Sequence, residues 1–164
     1  MASNNIFEHI FYEIEMYRYT YGYLILKQPN STFEHNMACD SHAIHLRNLA
    51  TFFHPRCEGT GIHVFDLVSN VETMRLPSRK LCRRIQRYTS GTTGHITEDR
   101  YIKPDYKDEA AKCYAEAFPK MRDAIHDFTL QLDTSIKPEY ETHWEEWKRM
   151  MPNRSATPTP NPGS

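Results

Sequence analysis

One stretch limits what this 164-residue chain can fold into: TFEHNMACDSHAIHLRNLATFFH, Thr32 to His54, which holds neither proline nor glycine. Ser31 or Thr32 can cap its start and Pro55 closes it, so the run predicts one long helix. At about 100° per residue, Phe33, Met37, Ile44 and Phe52 share one face, and Leu46, Leu49 and Phe53 a second. Only a narrow stripe of Asn36, Asp40, Arg47 and His54 is left polar. A helix apolar around most of its circumference is expected at the centre of a bundle, covered on several sides. His42, His45 and Asn48 point into the apolar faces, where polar groups need partners. They are expected to act as interhelical hydrogen-bond hubs or as parts of a site.

Helical periodicity recurs on both sides of this stretch. Between Asn5 and Lys27, apolar residues return every three or four positions from Ile6 to Leu24, with acids early and bases late as the helix dipole favours. The alternating Tyr17, Tyr19, Tyr21 and Tyr23 imitate a strand, but the length of the pattern favours helix. After Pro55 a loop leads to IHVFDLVSN, a short helix or turn expected to bring Val64, Phe65 and Val68 inward. Pro77 can open the next helix, whose Leu81, Ile85 and Tyr88 form an apolar side against Arg79, Lys80, Arg83 and Arg87, with Arg84 at the border. A further helical region from about Asp105 to Leu132 contains Pro119, which is expected to kink or split it. The segment PEYETHWEEWKRMM puts Tyr140, Trp144 and Trp147 at helical spacing, ready to dock an aromatic edge. These elements predict an all-α, up-and-down bundle of four main helices plus a short C-terminal one, as a single domain over 4–151. The Pro-, Ser- and Thr-rich residues 152–164 predict a disordered tail.

Composition narrows the partners. A formal net charge of -1 selects none globally. The four cysteines, at 39, 57, 82 and 113, form no CxxC pair and suit reduced thiols in the cytoplasm. No apolar run approaches spanning length, so no membrane partner is expected. Nine histidines invite a metal, yet the sequence has neither a Glu-x-x-His pair nor a His-Glu-x-x-His, so no metal or other cofactor is expected. The local concentration of Arg75, Arg79, Lys80, Arg83, Arg84 and Arg87 is the strongest chemical signal. Arginine grips phosphate bidentately, so such a strip suits a phosphate polymer.

Two segments resemble a known family. HAIHLRNLATFF, with His45, Arg47, Asn48, Leu49, Phe52 and Phe53, and the later CRRIQR…GHITEDR, with Arg84, Ile85, Arg87, His95, Thr97 and Arg100, are similar to bacterial helical proteins of the HEPN superfamily. The resemblance spans about residues 8 to 132. It implies a HEPN-like bundle, and for many members a metal-independent endoribonuclease of toxin or phage-defence type. It further implies a homodimer pooling its motifs across a cleft, and a possible antitoxin-like protein partner. The alternative is a non-catalytic module that binds RNA or a protein. The family's catalytic signature is an Arg, four to six residues, and a His, often with a polar residue after the Arg. Arg47 to His54, with Asn48 next, fits it, and so does Arg56 to His63. Arg84 and His95 are separated too widely, because YTSGTTG replaces a shorter link. The resemblance makes Arg84 and His95, or Arg47 and His54, the candidate catalytic pairs. Arg79, Lys80, Arg83, Arg87 and Arg100 would hold substrate, and His45 and Asn48 would form a supporting polar cluster. Cleavage would need a proton acceptor, a proton donor and a cation on the phosphate, roles open to His and Arg near neutrality.

Overall fold

The computed structural model describes residues 5–26, 31–54, 61–92 and 106–151. They form six α-helices: α1 (Ile6–Leu26), α2 (Thr32–Phe52), the single turn α3 (Val64–Leu67), α4 (Arg79–Thr92), α5 (Tyr106–Leu132) and α6 (Pro138–Met150). No strand occurs among them. Extended pairing is limited to one isolated bridge between Val68 and Ile136. The chain is an all-α helical bundle. The expected Gly-rich link is helical as far as Thr92, where α4 ends, while His95, Arg100, Arg56 and residues 152–164, with the expected tail, lie outside the described residues.

Local sequence explains where the helices begin. Asn5 caps α1 by accepting from Phe7 N at 3.0 Å, while its own amide donates to His143 O at 2.8 Å and so ties α1 to α6. Ser31 caps α2 through Glu34 N at 3.2 Å. At α4 the cap is Ser78, whose hydroxyl accepts from Leu81 N at 3.2 Å; Pro77 precedes the helix rather than opening it. Helix α5 runs unbroken through Pro119, so the expected split does not occur.

One core joins the elements. Phe7, Ile10, Ile14 and Tyr17 of α1 meet Leu46, Leu49 and Phe52 of α2, Leu81 and Ile85 of α4, and Met121, Ile125 and Phe128 of α5. Phe52 and Phe53 pack edge-on against Phe128 at centroid distances of 5.2 and 6.0 Å, and Tyr21 stacks on Phe118 at 3.6 Å. The aromatic edge of α6 docks as its spacing predicts, with Trp144 on Phe7 at 5.3 Å and Trp147 on Phe11 at 5.4 Å. In α3 the inward residues are Val64 and Leu67, and Phe65 faces solvent. A one-turn helix puts i and i+3 on one side, which selects Leu67 over Phe65.

The larger correction concerns α2. It packs against α1 on one side and α4 on the other, burying His42, Ala43, His45, Leu46, Leu49, Ala50 and Phe52. Phe33, Met37 and Ile44 are exposed, so α2 is not covered all round. Asn48 is exposed as well.

Candidate nucleic-acid interface

The basic strip is set by the helical turn. Along α4, Leu81, Cys82, Ile85, Tyr88 and Thr89 are buried, which leaves Arg79, Lys80, Arg83 and Arg87 projecting from the opposite side. Together with Arg84 they line an open depression of about 490 Å³. Ion pairs among the described residues leave Arg79, Lys80, Arg83 and Arg87 unused. Arg84, half-buried at the edge, bonds Glu116 of α5, and that hydrogen bond holds its guanidinium above the usual range. Arg75 does not belong to the strip. It grips Asp127 through Nε at 2.9 Å and Nη2 at 2.6 Å, and this contact lowers the Asp127 carboxyl.

Of the described acids near the strip, Glu109 pairs with none of these cations. Glu109 instead accepts from the Tyr88 hydroxyl at 2.7 Å, which raises the Tyr88 pKa. The relevant carboxylates, Glu116 and Asp127, come from α5, and each takes one arginine at the margin. Four cations in the middle have no ion-pair partner among the described residues.

The second cluster lies on the other side of α2. His45 Nδ1 donates to Glu13 Oε2 at 2.7 Å, and Tyr12 meets the imidazole edge-on at 5.8 Å. Glu13 and Asn48 line a cleft of about 280 Å³ with His9, Ile6, Ile10, Leu49, Phe52 and Ile62. His45 and Asn48 therefore share one region, with His45 buried and Asn48 at its rim. One turn away, His42 is packed on Tyr17 at 5.0 Å, with Nδ1 3.1 Å from the Thr20 hydroxyl. Burial, and secondarily His45, push its pKa down to about 4, so it is neutral at pH 7. The partner of His45 was legible in principle. Glu13 lies three residues after Ile10, on the edge of the apolar stripe, and the packing of α1 against α2 sets it level with His45.

Of the Arg47–His54 pair, Arg47 is exposed and His54 is buried beyond the end of α2. Among the described residues no three His, Cys, Asp or Glu side chains converge as a metal site requires. No described helix is long and apolar enough to cross a membrane. No protein-family model, curated protein or solved structure matches this chain. The described residues define an all-α bundle in which four cations on one face of α4 join no ion pair.

Proposed function

We propose that this protein is a HEPN-like helical module that binds RNA through the outer face of α4. The observation that carries the reading is the set of four exposed cations, Arg79, Lys80, Arg83 and Arg87, without an ion pair among the described residues, on one helix anchored by its buried side. A helix rises about 1.5 Å per residue, so these groups span about 12 Å, enough for two or three successive phosphates. Arg84 stands at the margin, where an arriving phosphate competes with Glu116 for the guanidinium. The resemblance of the Arg84–Arg87 and His95–Arg100 segments to HEPN proteins supports RNA as the polymer. The free thiols of Cys39, Cys82 and Cys113 fit a cytoplasmic site of action.

The test is fluorescence anisotropy with a labelled single-stranded RNA, comparing wild type with Arg79→Glu/Arg83→Glu/Arg87→Glu. All three positions are exposed, so the fold survives, and circular dichroism checks that it has. Affinity should fall by at least about a hundredfold. Unchanged affinity would overturn the reading, and binding only to an acidic protein would assign the face to an antitoxin-like partner. Incubation in EDTA supplies the catalytic arm. RNA cleavage by wild type but not by His95→Ala would add metal-independent ribonuclease chemistry, with His95 in the site and Arg84 next to test.

A further inference from the structure

The cleft beside the Glu13–His45 contact is built from one face of each of two helices. Ile6, His9, Ile10 and Glu13 follow at steps of three, one and three along α1, and His45, Asn48, Leu49 and Phe52 repeat those steps along α2. The helices run antiparallel, since Tyr12 and Glu13 contact His45 whereas Tyr17 and Thr20 contact His42. Carried one turn along, this register sets Asn48 level with His9 and Ile10. A second turn sets Phe52 level with Ile6. The cleft therefore has a polar end at Glu13, backed by His45, and an apolar end at Ile6, Phe52 and Ile62, with His9 and Asn48 between them.

The polar end has hydrogen-bonding capacity to spare. Oε2 of Glu13 accepts from His45 Nδ1 at 2.7 Å, and Oε1 has no partner among the described residues. The side chains of His9 and Asn48 likewise have no hydrogen-bond partner there. His45 is buried and its Nδ1 is committed to Glu13, so the carboxylate, itself a quarter accessible, is held in place at the cleft wall. Among the described residues lining the cleft, Glu13 is the one acid, and none is Lys or Arg. The floor beneath it, Ile10, Leu49 and Phe52, is part of the core.

We propose that this cleft binds a small primary amine with an apolar body. A primary ammonium carries three N–H donors and no acceptor. Glu13 Oε1, the Asn48 side-chain oxygen and a neutral His9 ring nitrogen are acceptors for them, one of the three charged. The apolar body then lies along Ile10 and Leu49 toward Phe52 and Ile62. A volume of about 280 Å³ falls at the lower edge of the ~300–1,000 Å³ usual for ligand pockets, so it suits a molecule the size of phenylethylamine. A nucleotide would be too large, and its phosphates would meet the Glu13 carboxylate. The amine site lies apart from the cations of α4 and does not rest on RNA binding.

Titration calorimetry with phenylethylamine, without RNA and at about pH 8 to stay above the ordinary histidine range, tests this. Wild type should bind it saturably with a dissociation constant of about 1 mM or tighter. Phenylacetate, with the same ring and the opposite charge, should not bind. Glu13→Gln keeps an acceptor for His45 Nδ1 and removes the charge, so affinity should fall by at least about tenfold while circular dichroism is unchanged. Should Glu13→Gln fail to fold, Asn48→Ala, at an exposed position, carries the test with an expected loss of about threefold. No saturable binding up to about 10 mM, equal binding of phenylacetate, or an affinity unchanged in the folded variant would overturn the proposal.

Discussion

Helices α2 and α4 lie side by side and treat polarity in opposite ways. Helix α4 buries its apolar residues and presents arginine and lysine to solvent, as a surface helix should. Helix α2 buries two histidines and presents Phe33, Met37 and Ile44 to solvent. The contrast teaches that an outward face contrary to the simple rule needs a reason of its own. On α4 the outward cations join no ion pair among the described residues, and the proposed RNA binding supplies that reason. On α2 the outward apolar residues stand clear of the core, while the inward histidines are satisfied by Glu13 and Thr20.

Breaking the α4 side of this contrast has the largest expected effect. Reversing Arg79, Arg83 and Arg87 should lower RNA affinity by at least about a hundredfold, whereas Tyr19→Glu/Met37→Glu leaves all the cations of α4 in place. If anisotropy showed both variants equally impaired, RNA affinity would not depend on the cations of α4 in particular.

The buried histidines sharpen the other side. His42 is held neutral in the fold with its pKa near 4, so the unfolded chain takes up the proton first. Its contribution is complete above about pH 6.5 and is lost as pH falls toward 4, by at most about 3 kcal/mol. Urea denaturation at stepped pH should show that loss in wild type and a flatter profile in His42→Phe, which keeps the stacking on Tyr17. A slope of equal size in both would assign the acid sensitivity elsewhere.

His45→Ala should cost about 1–3 kcal/mol, since it strands the half-buried Glu13 carboxylate. Asn48→Ala, on the cleft rim, should change stability by no more than about 0.5 kcal/mol. Equal losses from the two, measured by thermal or urea unfolding, would contradict the different burial assigned to them. The smallest effect belongs to Arg84→Ala. Its ion pair with Glu116 is largely solvated and should contribute under about 1 kcal/mol.

Much of this was legible in the sequence. The periodicities that built α1, α4 and α5 depend on a single buried side, and a single buried side leaves a clear pattern. Ser31 was readable as a cap because it stands directly before the helical run. The outward face of α2 was not readable, because hydrophobicity records that a residue prefers cover and not whether the fold supplies it. Phe33 and Met37 look like core residues in one dimension. The site was split in the same way. The cations of α4 were visible as a local run, whereas Glu116 at Arg84, Asp127 at Arg75 and Glu13 at His45 are set by contacts 32 to 52 residues apart. The Arg47–His54 spacing is equally plain in the sequence, yet spacing alone gave no sign that Arg47 is exposed and His54 buried.

The most direct test of α4 as an RNA-binding face is the salt dependence of RNA affinity. Two or three phosphates neutralised by Arg79, Lys80, Arg83 and Arg87 should give a slope of log K against log salt of about −2 for single-stranded RNA, reduced to near zero in Arg79→Glu/Arg83→Glu/Arg87→Glu. A wild-type slope already near zero, or one the variant leaves unchanged, would contradict the account.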